Sequence, residues 1–194
     1  MDDKSTSVED RIIQAAIDCI ESYGISGATN RRIAEVANVN IAAINYYFRS
    51  KDVLIRRCME ITLKNAFDLG DIAPMPGLPA QERCITILVE LITGGLQFPG
   101  ITRAHFFNLM TKGQYDDLLV ERINHFIDDL AVDLQGRGCK LELDELKLAL
   151  TQIMSAVILI ILAPTLFAQQ PGADLRDPDT CRTYVTRLVE KLLR

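Results

Sequence analysis

Residues 28–54 have the sequence ATNRRIAEVANVNIAAINYYFRSKDVL, which contains the most specific pattern in this 194-residue chain. Thr29 precedes a short amphipathic stretch at residues 30–37, and residues 38–40 form a polar break before a second short stretch at residues 41–47. Two short helices separated by a three-residue turn are typical of a helix-turn-helix element. The pattern therefore predicts a small structure that binds DNA.

The charge of the chain is distributed unevenly. The net charge is −5, which by itself argues against a nucleic-acid partner, because phosphates attract a basic surface. Residues 28–57, however, hold six basic and two acidic side chains, which leaves a local charge of +4. These are Arg31, Arg32, Arg49, Lys51, Arg56 and Arg57 against Glu35 and Asp52. An acidic body with a basic end would orient that end toward double-stranded DNA.

Composition favours an all-α protein. Hydrophobic residues make up 48% of the chain and aromatic residues 6%, and no segment shows the alternating apolar pattern of a strand. A chain of this length is able to bury a sizeable core in one large or two small domains. We expect a three-helix helix-turn-helix domain at residues 1–57, joined by a helix to a larger helical domain at residues 58–194.

A first helix is expected to cover the helix-turn-helix pair. Ser7, with Asp10 three positions later, is typical of a capping box, and residues 8–23 carry apolar side chains at spacings of three and four. Gly24 is expected to end this helix, and residues 1–6 are expected to be a frayed tail. Two short helices alone cannot bury enough surface to stay folded, so this third helix completes the domain.

The second helix of the pair has small residues in its first turn. Asn40 is a suitable N-cap, and Ile44 with Phe48 supplies the buried side. A helix that enters the major groove needs little bulk in its first turn. Ala42 and Ala43 therefore permit close approach to base edges and thymine methyl groups.

Polar side chains on both helices have a chemistry suited to DNA. Asn45 is able to bind adenine through two hydrogen bonds. Tyr46 and Tyr47 are able to contact phosphates or sugars, although packing in the protein core is the alternative for both. On the preceding helix, Thr29 is a suitable N-cap, and Arg31 lies in a first turn whose free N–H groups also favour an anion. The alternative for Arg31 is a solvated surface charge.

Residues 11–57 resemble the DNA-binding domain of the TetR family of transcriptional regulators. The resemblance rests on a first helix that ends in Tyr-Gly, a second helix that begins after Thr and contains Ile-Ala, and a run that ends in Phe-x-Ser-Lys. The matching positions are Tyr23, Gly24, Thr29, Asn30, Ile33, Ala34, Val39, Asn40, Ala42, Ile44, Asn45, Tyr47, Phe48, Ser50 and Lys51. Asn40, Ala42 and Asn45 depart from the family pattern, in which Ser or Thr, Gly and Tyr are common.

The resemblance implies which residues contact DNA. Phosphate contacts are expected at Thr29, Asn30, Tyr46, Tyr47 and Lys51. Base contacts are expected at Arg31, Ile41, Ala43 and Asn45. Asn40 and Ala42, in the first turn of the same helix, complete the predicted DNA-binding set. Asn45 leaves the fold prediction unchanged but alters the expected target sequence.

The rest of the chain is expected to be helical. Ser50 is a suitable N-cap for a helix that runs to about residue 69 and links the two domains. Residues 70–80 contain three prolines and two glycines, which predicts a loop. Further helices are predicted at residues 80–97, 101–112, 115–136, 142–169 and 178–193.

An apolar run at residues 153–163 raises the question of a membrane span. It is shorter than the ~20 residues that a span requires and no basic cluster flanks it, so no membrane partner is expected. A helix that is apolar all round is expected to be buried on every side, here by a second subunit. TetR-like proteins dimerise through their last two long helices, which implies a homodimer with an interface at Ile153, Val157, Ile160, Ile161, Tyr184, Leu188 and Leu192.

The resemblance also implies regulation by an unidentified small-molecule effector. An effector that enters the larger domain would tilt the helix after Ser50, change the spacing of the two recognition helices and release a palindromic operator. Candidate pocket residues combine apolar bulk with polar ends, although packing in the helical core is the alternative for each. They are Phe98, His105, Phe106, Met110, Tyr115, His125 and Phe126.

The sequence contains no recognisable catalytic or metal-binding motif. It lacks GxSxG, HExxH, P-loop and GxGxxG motifs, and its two histidines have no ligand spacing, so we predict neither an enzyme nor a metal or cofactor site. Five separate cysteines and a polar N-terminus favour a reducing cytoplasm. Repression is the commoner role in the family. The alternative function is a helical protein-interaction module, or a regulator without an effector.

Overall fold

The computed structural model describes residues 7–69, 77–113 and 118–194, and all regular structure in these ranges is helical, as predicted. The helices are α1 (Val8–Gly27), α2 (Asn30–Ala37), α3 (Ile41–Phe48), α4 (Lys51–Ala66), α5 (Ala80–Gln97), α6 (Pro99–Lys112), α7 (Leu118–Gly136), α8 (Leu143–Leu162) and α9 (Pro178–Leu192). The predicted tail at residues 1–6, most of the predicted loop at residues 70–80, and Tyr115 lie outside the described residues.

Side-chain capping fixes the beginning of α1. The Ser7 hydroxyl oxygen accepts from the Asp10 N–H at 3.0 Å, and the Ser7 hydroxyl donates to the Asp10 carboxylate at 2.7 Å. The expected N-terminal cap is therefore present. At Gly24 the backbone φ is +69°, so the helix bends there and continues to Gly27 instead of ending. Glycine adopts this φ readily because it has no Cβ.

The described chain forms two compact units, and the first contains residues 7–64 together with residues 100–113. Its core combines apolar side chains of α1 to α4 with one from α6, namely Ile12, Ile20, Ile33, Ile44, Phe48, Leu54, Cys58 and Ile101. The first unit thus extends past residue 57, where the sequence suggested a boundary, and it includes α6. Periodicity alone does not assign α6, because its apolar side chains would suit either core.

The second unit contains residues 65–69, 77–99 and 118–194. Helices α5, α7, α8 and α9 pack around one apolar core, in which Cys84, Ile87, Leu88, Ile92, Leu130, Leu134, Leu146, Leu150, Ile153, Val157, Val185 and Val189 are fully buried. Burial of a Val, Leu or Ile side chain contributes about 1.5–3 kcal/mol. This core therefore supplies most of the stability of the second unit.

The segment that follows α4 is attached to the second unit by two arginines and an aromatic pair. Arg122 donates to the Phe67 carbonyl at 3.1 Å, and Arg83 donates to the Leu69 carbonyl at 3.0 Å. The ring centroid of Phe67 lies 5.2 Å from that of Phe126, in a T-shaped arrangement. These contacts hold Phe67 and Leu69 against α5 and α7 within the second unit.

Helix α8 ends at Leu162, earlier than the predicted end at residue 169. Pro164 disfavours helical conformation in the residue before it and cannot donate a helical hydrogen bond, so the chain continues in turns. Within the described ranges, α8 is the one helix that length and composition would allow to cross a membrane. In the single chain its outer side is exposed and carries Thr151, Gln152 and Ser155, so burial on every side would require a second subunit and stays a prediction.

Three residues predicted at a dimer interface lie in the core instead. Ile153, Val157 and Ile160 are buried by the second unit of the same chain. They lie on one face of α8 at helical spacing, and that face packs against the other helices of the second unit. The prediction is therefore wrong for these three side chains, because they have almost no accessible surface to offer a second subunit.

Candidate nucleic-acid interface

The turn between α2 and α3 is built by Asn38, which has a left-handed backbone conformation, and by Asn40, which caps α3. Asn38 adopts φ +53° and ψ +52°, which ends α2, and its N–H donates to the Glu35 carbonyl at 3.2 Å. Asparagine is one of the few residues that tolerate this conformation. The Asn40 side-chain oxygen then accepts from the Ala42 N–H at 2.9 Å and starts α3. The predicted helix-turn-helix is therefore present, with both of its expected N-caps formed, since Thr29 accepts from the Arg32 N–H at 3.3 Å.

Helix α3 separates cleanly into a buried side and an exposed side. Ile44 and Phe48 are buried in the first core, as predicted. Tyr46 is 82% exposed and Tyr47 is 42% exposed, so neither packs in the core. The other exposed or half-buried residues of this surface are Ile41, Ala42, Ala43 and Asn45. Helix α3 therefore presents small, amide and phenol groups together along its solvent side.

The end of α3 is set by a tight turn at Arg49. This residue has φ +61° and ψ −39°, and the Ser50 N–H donates to the Phe48 carbonyl at 2.6 Å. That geometry is a γ-turn, which is uncommon for a residue with a side chain and costs on the order of 1–3 kcal/mol. The Ser50 side chain then accepts from the Val53 N–H at 3.3 Å, so Ser50 caps α4 as expected.

The two adjacent arginines of α2 have different environments. The Arg31 side chain is exposed and its Nε lies 3.1 Å from the Glu35 carboxylate, which leaves its terminal nitrogens directed to solvent. The Arg32 guanidinium lies 4.1 Å from the centroid of the Tyr23 ring and donates to the Gly27 carbonyl. Arg31 is therefore available to a partner, whereas Arg32 joins α2 to the end of α1.

Two predicted phosphate contacts are partly engaged within the protein. The Lys51 ammonium donates to the Ile25 carbonyl at 3.0 Å, which uses one of its three N–H groups. Asn30 is half-buried, and its side-chain oxygen is buried without a hydrogen-bond partner. Thr29 is exposed at the beginning of α2. Lys51 thus has a contact within the protein, and Asn30 is partly buried, in addition to any contact that either makes with DNA.

An open groove lies beside the turn and completes the surface. It is lined by Arg31, Ala34, Glu35, Asn38, Val39, Asn40 and Ile41. Farther along, Arg56 and Arg57 both approach Glu60, at 3.2 Å and 3.5 Å. Glu60 lies just beyond residues 28–57, which carry six basic and two acidic side chains. With Glu60 the surface has six basic and three acidic side chains, a local charge of +3. The surface remains basic, and its least neutralised part is around α2 and α3.

The residues predicted to line an effector pocket have separate environments. His105 Nε2 lies 2.9 Å from the Thr62 hydroxyl in the first unit, and burial lowers the pKa of His105 to about 4. Phe126 is buried against Phe67 in the second unit. Met110 is 72% exposed. His105 and Phe126 thus pack within the protein, as the alternative of core packing describes, and their place in an effector pocket stays a prediction.

The remaining predicted residues are more accessible. Phe98 and His125 are exposed and Phe106 is half-buried.

On α9, the predicted dimer residues Tyr184 and Leu188 line an open groove together with Gly172, Asp179, Thr180, Thr183, Arg187 and Lys191. Ile161 is half-buried and packs on Gly95, where a Cβ would overlap it, and Leu192 is half-buried against the second core. Of the predicted dimer residues, Tyr184 and Leu188 therefore have the most surface available to a partner.

The cysteines have the environment of core residues. Cys19, Cys58, Cys84 and Cys181 are buried and Cys139 is half-buried. Burial raises the pKa of the Cys58 and Cys84 thiols to about 12, which leaves them protonated and unreactive near neutral pH. In the described ranges, no three His, Cys, Asp or Glu side chains form a group that could hold a metal ion.

Comparison with known proteins identifies the N-terminal part of the chain. Residues 12–58 match the family model of the N-terminal domain of bacterial regulatory proteins of the tetR family. The HTH-type transcriptional regulator BetI 1 of Chromohalobacter salexigens is 39% identical over 61 residues, which cover 31% of this chain and 29% of that protein. The matches to curated relatives span between 24% and 50% of those relatives' lengths.

Solved structures resemble the whole chain in fold. A regulator from Mesorhizobium loti assigned to the TetR family has a TM-score of 0.73 and 18% identity, covering 99% of this chain and 98% of its own. The regulator FadR of Bacillus subtilis, solved in complex with stearoyl-CoA, has a TM-score of 0.62 and 15% identity, covering 94% and 96%. Residues 12–58, which contain the helix-turn-helix at residues 29–48, therefore match the N-terminal domain of the tetR family, and the whole chain shares the fold of these solved regulators.

Proposed function

We propose that this chain is a transcriptional regulator that binds a specific double-stranded DNA sequence through α3. The observation that carries the proposal is the division of α3: Ile44 and Phe48 anchor it in the core, while Asn45, Tyr46 and Tyr47 face solvent. A helix held in this way is able to enter the major groove without losing its own packing. Catalysis and a cofactor have no part in the proposal.

The contacts divide into two classes by chemistry. Asn45 and Arg31 have side chains that pair with base edges, adenine and guanine respectively. Ile41, Ala42 and Ala43 offer apolar contact to thymine methyl groups. Phosphate contacts are assigned to Thr29, Asn30, Tyr46, Tyr47 and Lys51, with Asn40 in support as the cap of α3. Base contacts determine the target sequence, whereas phosphate contacts determine affinity and its dependence on salt.

The active form is proposed to be a homodimer. Tyr184 and Leu188 on α9 line an open groove and remain available, as does the exposed side of α8 with Leu148 and Leu159. Exposed large apolar side chains of this kind are typical of surfaces that associate. Two recognition helices related by a twofold axis would bind a palindromic operator with half-sites about one helical turn apart, or a multiple of that distance.

Regulation is proposed to come from a small-molecule effector that releases the operator, so that the protein acts as a cytoplasmic repressor. The match of residues 12–58 to the tetR family supports this, and a regulator of the same fold was solved with stearoyl-CoA. An effector needs only to bind the DNA-incompatible dimer a few kcal/mol more tightly than the DNA-binding form.

The proposed function is tested by measuring the binding of the purified protein to DNA selected from a randomised duplex pool. Tyr46→Ala should weaken binding to the selected duplex. Lys51→Ala removes a cationic contact and should in addition reduce the slope of log K against log salt by about one unit. Phe167→Ala removes an exposed aromatic side chain from the second unit and serves as the matched control. Selection of no sequence, or equal binding by the Tyr46 variant, would refute the assignment of α3.

A further inference from the structure

An acidic side chain on the proposed DNA-binding surface is bonded to a proposed base contact. The Glu35 carboxylate accepts from the Arg31 Nε–H at 3.1 Å, with one turn of α2 between the two residues. Their side chains are 65% and 84% exposed, and both line the open groove that Ile41 of α3 also lines. The ion pair therefore lies beside the first turn of the proposed recognition helix.

The pair contributes little to the stability of α2. An exposed ion pair gains little, because water screens both charges and two long side chains lose freedom. Its order along the helix is also unfavourable. Arg31 lies in the first turn and Glu35 in the last, so each charge lies near the end of the helix macrodipole that has the same sign. The stability of α2 therefore does not explain this pair.

Glu35 also opposes non-specific binding to DNA, because a carboxylate repels phosphates. It is one of two acidic side chains at residues 28–57. The other, Asp52, lies in the first turn of α4, where the macrodipole favours a negative charge. Glu35 has no such favourable position, so its bond to Arg31 is the feature through which it would assist DNA binding.

The bond leaves one edge of the Arg31 guanidinium for a base. A guanidinium is planar and has five N–H donors, and it binds two acceptors at once through its two terminal nitrogens or through Nε and one terminal nitrogen. Glu35 occupies Nε, so the edge with both terminal nitrogens is left for guanine, whose O6 and N7 accept two such bonds. Binding of a phosphate through Nε would require the ion pair to break.

We propose that Glu35 is a positioning residue that makes Arg31 selective for guanine. The proposal rests on the proposed function, since it concerns one base contact of the DNA-binding surface. At a guanine, Arg31 pairs with the base and keeps its bond to Glu35. At another base the two acceptors are missing, and Arg31 reaches two acceptors only on a phosphate, which leaves the Glu35 carboxylate beside DNA without its partner. Glu35 therefore lowers the affinity for wrong sequences more than for the right one.

The test compares the base preference of Glu35→Ala with that of the wild type. The probes are the duplex selected by the wild type, a scrambled duplex, and duplexes in which one base pair of the selected site is changed. The G·C pair read by Arg31 is the one at which Arg31→Ala loses its preference. At this pair, Glu35→Ala should lose preference by about fivefold or more, the lower limit for a good base contact. Its affinity for the scrambled duplex should rise, because a charge that repels phosphates is removed.

A conservative variant and a control on α4 separate the position of Arg31 from the effect of charge. Glu35→Gln removes the charge but keeps an oxygen that accepts from Nε, so it should keep more of the preference than Glu35→Ala. Glu60 accepts from the Arg56 Nε–H at 3.2 Å with the same spacing on α4. Glu60→Ala removes the same charge and the same kind of bond. It should change the affinity for every duplex by one factor and leave the base preference unchanged.

A double-mutant cycle shows whether Glu35 acts through Arg31. In the Arg31→Ala background, Glu35→Ala should change the preference at this base pair no further. A further change would mean that Glu35 reads a base itself, for example by accepting from the N4 amino group of cytosine. That result would overturn the positioning role.

The outcomes distinguish this proposal from the proposed function. If the wild type selects a sequence but Glu35→Ala keeps the wild-type preference at the pair read by Arg31, the positioning role is overturned and the proposed function stands. The same holds if Glu35→Ala loses preference equally at every base pair, or if Arg31→Ala loses preference at none. If the wild type selects no sequence, both proposals fail.

Discussion

The guanidinium of Arg32 lies 4.1 Å from the centroid of the Tyr23 ring, while its neighbour Arg31 extends into solvent. Arg32 also donates to the Gly27 carbonyl, so it connects the last turn of α1 to the first turn of α2. Two adjacent arginines in the proposed DNA-binding surface therefore have different roles. One stabilises the fold, and the other is available to DNA.

Substituting each arginine should distinguish these roles. Arg32→Ala should lower the free energy of unfolding by about 2 kcal/mol, since it removes a cation–π contact and a hydrogen bond from a charged donor. Arg31→Ala should leave stability within about 0.5 kcal/mol but weaken DNA binding. Denaturant unfolding and binding titrations at several salt concentrations measure both effects. Equal stability losses in the two variants would contradict the assignment.

His105 should make stability depend on pH. Its folded pKa is lowered to about 4 by burial, below the ordinary 6.5, so the unfolded chain binds the proton more readily. Stability from this group is therefore fully present above pH 6.5 and is lost as the pH falls toward 4, by up to about 3 kcal/mol. His105→Gln keeps a hydrogen-bonding group and should flatten this dependence. Carboxylates also titrate in this range. The quantity to measure is therefore the difference in free energy of unfolding between the wild type and His105→Gln, determined at pH 7 and again at pH 4.5.

The turn at Arg49 should respond to the absence of a side chain. Because its φ is +61°, Arg49→Gly should be more stable than Arg49→Ala by about 1 kcal/mol, although both remove the same charge. Comparing the two variants cancels the effect of lost charge. Thermal unfolding measures the difference, and an Ala variant as stable as the Gly variant would show that the γ-turn is not retained.

Two substitutions should separate core residues from interface residues in the second unit. Ile153→Ala should lower the free energy of unfolding by about 2–5 kcal/mol, as expected for a buried side chain with no accessible surface. Tyr184→Glu, at an exposed position on α9, should leave the monomer fold intact but weaken self-association. Circular dichroism and sedimentation velocity measure the two effects. A Tyr184→Glu protein with unchanged association would remove α9 from the proposed interface.

The N-terminal part was predicted in most detail because its signals are local. Capping residues such as Ser7, Thr29, Asn40 and Ser50 act within three residues of their partners, so a sequence pattern contains the whole interaction. Helix bounds in the second unit were also close, since glycine and proline punctuate them. The exception is the end of α8, where Pro164 outweighs the apolar pattern that continues beyond it.

Contacts between distant segments could not be predicted in the same way. Glu21 with Gly100, and Thr62 with His105, join residues far apart in the chain, and no short pattern marks either pair. For the same reason, Phe126 had the composition of a pocket residue but packs on Phe67 in the core. The sequence identified which residues have a suitable chemistry, whereas tertiary packing determines which of them remain accessible.

The central claim is that α3 recognises base sequence with its exposed side, and the affinity of Asn45→Ala for two duplexes tests it most directly. The selected duplex and a scrambled duplex of the same length and composition should differ by about tenfold or more for the wild type, since each good base contact is worth about 1–3 kcal/mol. Asn45→Ala should lose most of the discrimination at the one base pair that Asn45 contacts, while its affinity for the scrambled duplex stays as in the wild type. An unchanged preference in Asn45→Ala, or no preference in the wild type, would contradict the account.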